Sequence, residues 1–362
     1  MIIACGHFSL ALSPLPFFYT GLVLVATGTG LLKPNVSTMV GDLYQQEDPR
    51  RDSGFSLFYM GINLGAFIAP LVCGYLGQKV NWHYGFAAAG IGMILGLLQF
   101  SFSGNRLANI GERKAKLAGR DRAIASERLS REEVKRLAVI GILFFFSIVF
   151  WMAFEQSGSS LTLFADRLTR NSLFGYQFPS TWFQSVQPIC LLLLAPVFAQ
   201  LWLRMRERQP TSPRKFTFGL LFVGFGFVVL VYASTLTGTG HVSPLWLVVL
   251  YLLHTVGELC LSPVGLSTVT RLAPAKMVGL MMGVWFLSIS IGSFLAGKVA
   301  GFFDDKSVEA LVKLFGFLAL VPIGAAILLV TLTPRINRLL VERKVDERTK
   351  DRLPGELVQT GV

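Results

Sequence analysis

The sequence predicts an all-α, polytopic membrane protein built from two bundles of helices. Of its 362 residues, 52% are hydrophobic and only 15% are charged, whereas about 25% are charged in ordinary soluble domains. So few charges cannot cover so much apolar surface in water, and the mean hydropathy of +0.57 agrees with a membrane protein. The same composition excludes disordered, collagen-like and coiled-coil chains.

Nine apolar runs approach or exceed the length of about 20 residues that a spanning helix needs. A shorter, partial run comes first, at 1–12, and has no basic region that would indicate a signal peptide. Glycine and proline interrupt several runs, as is common in membrane helices. The nine full runs cover residues 17–40, 55–76, 84–101, 137–165, 183–203, 216–235, 244–272, 277–300 and 310–333.

The connections between these runs alternate in charge. Most of the 33 lysines and arginines lie at 42–52, 104–136, 204–215, 271–276 and beyond 334. The connections on the other side hold only Lys79, Arg167, Arg170, Lys298 and Lys306. The positive-inside rule therefore predicts a multi-pass protein of the inner or plasma membrane, with the central loop and the C-terminus in the cytoplasm. This asymmetry explains the net charge of +12 without nucleic-acid binding.

A polar, arginine-rich loop at 104–136 divides the chain. It ends in Ser130-Arg-Glu-Glu133, a capping-box pattern that predicts the start of a helix just before the apolar run. Six full runs follow the loop, and two-bundle transporters usually have six spans in each half. We therefore expect a partial N-terminal bundle at 1–103, a cytoplasmic linker at 104–136, a C-terminal six-helix bundle at 137–334 and a cytoplasmic tail at 335–362.

Charged residues inside the apolar runs are the main functional signal. Each costs about 2.5–3.5 kcal/mol at mid-depth on insertion scales, so such residues usually serve a function. The clear cases are Lys33, Glu155 and Glu258. A lysine and two carboxylates at similar depth can pair across a cavity, and protonation of a carboxylate would then couple proton binding to helix movement. The alternative is a static ion pair that only fixes the packing.

Other kinds of site find little support. His254 and Glu258 lie four residues apart on one helix face, but no third metal ligand is apparent, so we expect no metal. The segment 28–33 resembles a phosphate loop only superficially, because Pro34 follows the lysine. No G-x-S-x-G or H-E-x-x-H pattern indicates an enzyme. The four cysteines lie in apolar stretches without C-x-x-C spacing and are predicted to be buried apolar residues.

Four segments resemble the proton-dependent oligopeptide transporter (POT) family of the major facilitator superfamily. They keep the family's order and spacing, and the resemblance runs from about residue 7 to 334. The segments are GTGLLKPNVSTMVGDLY at 28–44, DPRRDSGFSLFYMGINLGAFIAPLVCGYLG at 48–77, FWMAFEQSGSSL at 150–161 and ELCLSPVGLSTVTRLAPAKMVGLMMGVWFLS at 258–288.

The resemblance implies alternating access and symport of di- and tripeptides with protons, with the proton as coupling ion and no cofactor. By position, Lys33 matches the family's fourth-helix lysine and Glu258 its tenth-helix glutamate, which form a salt bridge near the peptide site. Glu155 matches a seventh-helix glutamate that pairs with a first-helix arginine. The two opposite charges would complement the two termini of a peptide. The resemblance places the peptide pocket at Lys33, Asn63, Trp151, Gln187, Glu258, Ser262 and Trp285. Packing or lipid contact is the alternative for the two tryptophans.

The chain also departs from the family pattern. The first-helix motif E-x-x-E-R-F-x-Y-Y is absent, and the chain begins at what resembles the third of twelve core helices, so we expect an N-terminally truncated form. Gln187 stands where the family often has asparagine before Pro188. A non-transporting remnant or partner subunit and a transporter of a non-peptide solute such as nitrate stay open. The expected partners are small peptides and the lipid bilayer, with the protein as a monomer.

Overall fold

The structure is a computed structural model that describes residues 1–43, 51–103, 129–173, 175–205, 208–274 and 277–350. These residues are mostly helical, apart from connections and one short antiparallel hairpin of β1 (Ser172–Leu173) and β2 (Tyr176–Gln177). The helices are α1 (Ile2–Leu10), α2 (Leu15–Asp42), α3 (Arg51–Tyr75), α4 (Trp82–Phe102), α5 (Arg131–Phe154), α6 (Ser160–Arg167), α7 (Val186–Met205), α8 (Ser212–Leu236), α9 (Leu245–Leu272), α10 (Val278–Ala300) and α11 (Val308–Lys350).

Nine helical segments of the described chain are long and apolar enough to cross a membrane, which confirms the nine predicted runs. Their outer faces carry large apolar side chains. For example, Phe294 is 65% exposed and Leu320 is 71% exposed. Exposed apolar surface on helix after helix is unfavourable in water and suits contact with lipid chains. The chain is therefore a multi-pass membrane protein.

The chain divides into two compact units. Unit 1 comprises Met1–Ala125, Leu161–Pro196 and Gly240–Val248. Unit 2 comprises Ser126–Ser160, Val197–Thr239 and Val249–Val362. Each unit groups residues that lie close together in space. The units do not test the domain boundaries predicted from the sequence, which stay a prediction.

In unit 1, side-chain hydrogen bonds stabilise the ends of several helices. The hydroxyl of Ser9 at the end of α1 donates to the carbonyl of Phe17 in α2, at 2.6 Å. A π-helical turn, Leu76–Val80, follows α3. The side chain of Asn81 then caps α4 by accepting from the backbone N–H of His83, as expected of an N-cap asparagine.

In unit 2, buried phenylalanines and one polar contact join the helices. Phe227 of α8 stacks on Phe315 of α11, with ring centroids 6.2 Å apart, and both side chains are fully buried. The hydroxyls of Ser147 on α5 and Ser288 on α10 lie 2.9 Å apart and are shielded from solvent. A buried hydroxyl pair of this kind satisfies both groups where no water is available.

The predicted capping box at the start of α5 is confirmed. The Ser130 hydroxyl accepts from the backbone N–H of Glu133, and the Glu133 carboxylate accepts from the backbone N–H of Ser130. At the other end of the chain, α11 continues through Pro334 into the predicted tail and ends at Lys350. Residues 104–128 of the predicted linker and 351–362 of the tail lie outside the described residues.

Candidate substrate site

Three of the predicted site residues belong to unit 1. Lys33 is exposed on α2, and Gln187 is half-buried in the first turn of α7. Asn63 is half-buried on α3, and its amide nitrogen donates to the carbonyl of Tyr59 at 2.9 Å. This hydrogen bond within the helix fixes the orientation of the Asn63 amide group. The ion pair predicted between Lys33 and Glu258 joins residues of the two units and stays a prediction.

Glu155 lies at a break in a membrane-spanning segment. The run predicted at 137–165 lies within one spanning segment, Arg131–Arg167, but this segment is not one continuous helix. Helix α5 ends at Phe154, a 3-10 turn covers Glu155–Gly158, and α6 begins at Ser160. The half-buried carboxylate therefore stands at the end of a broken helix. Discontinuous membrane helices are common sites of ion and substrate binding in transporters.

The neighbouring Gln156 explains how this break is held. Its side chain is completely buried. The amide nitrogen donates to the carbonyl of Ala296 on α10 at 3.1 Å and to that of Met152 at 3.3 Å. The amide oxygen accepts from the Ser160 hydroxyl at 2.6 Å. One side chain thus connects the end of α5, the start of α6 and α10, and so fixes the turn that carries Glu155.

Glu258 is half-buried near the middle of α9. Ser262 lies one turn further on, and its hydroxyl has no hydrogen-bond partner among the described residues. Pro263, inside the same helix, cannot donate the backbone hydrogen bond that the carbonyl of Leu259 would otherwise accept. This stretch of α9 therefore places a carboxylate and a hydroxyl one helical turn apart.

Buried aromatic contacts bring the end of α5 next to this part of α9. Phe154, directly before Glu155, stacks on the ring of His254, with centroids 6.0 Å apart. His254 lies one turn before Glu258 and also contacts Phe227 of α8, at 5.0 Å between ring centroids. The two predicted functional glutamates of unit 2 therefore lie on neighbouring segments that share one aromatic contact.

The two predicted tryptophans pack against glycines. Trp285 of α10 is 4% exposed, and a Cβ added to Gly265 of α9 would overlap its indole ring. Trp151 of α5 is 8% exposed, and a Cβ added to Gly292 of α10 would lie 2.5 Å from the Trp151 Cβ. The indole N–H of Trp151 has no acceptor among the described residues. Packing is thus evident for both rings, while their contact with substrate stays a prediction.

Within unit 2, these contacts link the predicted residues Trp151, Glu155, Glu258, Ser262 and Trp285 to three helices that touch one another, α5, α9 and α10. Sequence reasoning missed Gln156 and the two glycines beneath the tryptophans. An amide side chain beside a carboxylate in an apolar run was the available signal for Gln156. No cluster of three or more potential metal-binding side chains occurs in the described part of the chain.

Comparison with known proteins identifies the family. The sequence model of the POT family matches residues 1–120 and 105–316. The chain belongs to the POT family. It is 39% identical to the uncharacterized transporter YclF of Bacillus subtilis, over 94% of this chain and 78% of that protein. It is 37% identical to the peptide transporter YePEPT of Yersinia enterocolitica, over 94% of this chain and 79% of that protein.

A solved structure agrees with these sequence matches. The crystal structure of a peptide transporter POT in complex with sulfate is 36% identical in sequence and has a TM-score of 0.84. The superposition covers 93% of this chain and 79% of that chain. The predicted fold class, an all-α polytopic membrane protein of the major facilitator superfamily, is therefore confirmed. The POT family is one of transporters.

Proposed function

We propose that this POT protein takes up di- and tripeptides together with protons by alternating access. Membership of the POT family carries the proposal, and the Yersinia relative is named a peptide transporter. The carboxylate of Glu155 at the break between α5 and α6 supports it from the structure. Ionisable groups inside membrane segments are usually retained for substrate or proton binding.

The proposed peptide site uses opposite charges at its two ends. Lys33 supplies a cation for the carboxylate of the peptide, and Glu258 supplies a carboxylate for the ammonium group. Asn63, Gln187, Ser262 and the two tryptophans are the proposed neighbours of the peptide between these ends. The basic connections and the C-terminus are proposed to face the cytoplasm, because lysine and arginine accumulate on that side.

Proton coupling is proposed to act through Glu155 and Glu258. A carboxylate that loses its charge no longer attracts a cation, so protonation releases an ion pair and lowers the cost of moving the helix. Glu155 is suited to this step because its backbone is a short 3-10 turn between two helices. A change in its charge can alter the angle at that turn without breaking a continuous helix.

Uptake in proteoliposomes tests the proposal. Purified protein is reconstituted, and accumulation of radiolabelled dialanine is measured with and without an inwardly directed proton gradient. A second preparation holds the Yersinia relative that is named a peptide transporter, as the positive control. We expect gradient-driven accumulation in both preparations. Background uptake by this chain alone, with correct insertion shown by protease accessibility, would refute peptide transport.

The two carboxylates are tested separately in the reconstituted protein. We expect Glu258→Gln to abolish dialanine uptake and exchange, and Glu155→Gln to abolish accumulation while sparing exchange of internal for external peptide. Glu309→Gln is the matched control, since Glu309 is an exposed residue that pairs with Lys313. Full accumulation by the Glu155→Gln variant would exclude Glu155 as a coupling group.

Competition identifies the substrate class. If peptides are the substrate, a panel of unlabelled dipeptides reduces dialanine uptake, and nitrate at the same concentration does not. Uptake of nitrate that dipeptides fail to inhibit would instead support the non-peptide alternative.

A further inference from the structure

A polar cavity of about 610 Å³ opens in unit 1, and none of its lining residues belongs to the predicted peptide site. Its wall is formed by the π-helical turn after α3, the first residue of α4, residues from 166–172 and 177–180, and His241 before α9. This volume lies within the range of about 300–1,000 Å³ typical of small-molecule sites. Most of its wall consists of polar or charged side chains, so the cavity suits a charged, hydrophilic ligand.

Two cations stand on this wall. Lys79 belongs to the π-helical turn, and Arg170 follows α6. Both side chains are exposed, and neither forms an ion pair with a carboxylate of the described chain. A lysine and an arginine on one concave surface, without acidic partners, form an anion-binding surface that a carboxylate fits.

One carboxylate faces the same cavity and is held in place by neutral groups. The Asp166 carboxylate accepts from the Ser180 hydroxyl at 2.8 Å and from the Gln78 amide nitrogen at 3.4 Å. The same amide nitrogen lies 2.6 Å from the Ser180 oxygen, and the Thr181 hydroxyl donates to the Gln78 amide oxygen at 3.3 Å. This network orients the Asp166 carboxylate without neutralising its charge, so it remains able to bind a cation.

We propose that this cavity is a second, outer binding site for short zwitterionic peptides. The peptide carboxylate binds to Lys79 and Arg170, and its ammonium group binds to Asp166. The aromatic rings of Trp82 and Phe178 on the same wall offer apolar surface for peptide side chains. A site that binds only anions would gain nothing from an oriented carboxylate. The presence of Asp166 together with the two cations therefore favours a zwitterion as the ligand.

The proposal rests on the proposed peptide transport and deepens it. Lys79 and Arg170 belong to the sparsely charged connections, which the proposed orientation places on the side away from the cytoplasm. A weak site there would concentrate peptide at the outer face before it reaches the central site. The phosphate of an anionic phospholipid carries a related negative charge, so the test must separate it from a peptide.

Binding is measured in the full 362-residue chain in phosphatidylcholine nanodiscs, by calorimetric titration with dialanine and without a proton gradient. The Glu258→Gln variant serves as background, because it removes the proposed central site. We expect saturable dialanine binding to persist in that background. Adding Lys79→Ala and Arg170→Ala together should weaken it by at least about tenfold, which corresponds to about 1.4 kcal/mol. Adding Lys306→Ala, an exposed lysine outside the cavity, should leave it unchanged.

Modified peptides test which end binds where. Amidated dialanine lacks the carboxylate. Its affinity should therefore be the same for the Glu258→Gln variant and for the variant that also carries Lys79→Ala and Arg170→Ala. Asp166→Asn should weaken binding of dialanine but not of its N-acetylated form. Size-exclusion profiles and circular dichroism check that each variant is folded.

Three results would overturn the outer site. One is loss of all saturable binding in the Glu258→Gln background, and another is equal binding by the Lys79/Arg170 variant and the Lys306→Ala control. The third is that phosphatidylglycerol binding depends on Lys79 and Arg170 and dialanine binding does not depend on them. The cavity would then be a binding site for lipid headgroups. Because the titration needs no transport, failed uptake with intact outer binding would refute only the proposed transport.

Discussion

Replacement of Gln156 by leucine tests whether one buried side chain holds the break between α5 and α6. Leucine has a similar volume, so the substitution removes hydrogen bonds without opening a large cavity. It deletes the contact with the carbonyl of Ala296 on α10 and leaves the buried Ser160 hydroxyl without its acceptor at 2.6 Å. The variant therefore isolates the polar contribution of the amide.

The size of the effect follows from these two contacts. A hydrogen bond between membrane helices contributes on average about 0.6 kcal/mol, with a maximum near 1.7 kcal/mol. A buried hydroxyl left without a partner costs about 1–3 kcal/mol. Together they predict that Gln156→Leu lowers the free energy of unfolding by about 2–4 kcal/mol. The turn that carries Glu155 should loosen at the same time, and gradient-driven peptide accumulation should fall.

Equilibrium unfolding by sodium dodecyl sulfate in dodecylmaltoside micelles, followed by circular dichroism, gives the free energy directly. Gln99→Leu is the control, because Gln99 lies exposed on α4. We expect the control to stay within about 0.5 kcal/mol of the parent protein, as surface substitutions usually do. A Gln156→Leu variant that unfolds at the same detergent fraction as the control would refute the role assigned to Gln156.

Three further substitutions, one of them a control, test local packing and helix capping. Gly265→Ala should lower the free energy of unfolding by about 1–3 kcal/mol, because the new methyl group would displace the Trp285 ring. Gly283→Ala on α10 meets no neighbour within 4 Å and should be neutral or stabilising, and equal effects of the two would contradict this account. Ser130→Ala should destabilise the start of α5 by about 1 kcal/mol, seen as faster amide exchange in its first turn. Unchanged exchange there, at Glu133 above all, would show that the capping box contributes nothing.

Features that depend on neighbouring residues could be predicted from the sequence. The length and hydropathy of each run predict a spanning helix, because a helix satisfies its own backbone hydrogen bonds wherever it lies in a bilayer. The start of α5 was predicted for the same reason, since Ser130 and Glu133 need only each other to form the capping box. Lys33, Glu155 and Glu258 were found because a charge in an apolar run is costly whatever its neighbours are.

Contacts between distant parts of the chain required the tertiary structure. The run at 137–165 is mostly apolar, and the turn at Glu155 is held by an acceptor that α10 supplies, the carbonyl of Ala296. The outer cavity likewise combines Lys79, Asp166 and Arg170 from segments more than 80 residues apart along the chain. The hydropathy of a segment depends only on its own residues. The sequence by itself therefore determined which segments enter the membrane. Which side chains then meet depends on how the helices pack, and only the tertiary structure decided that.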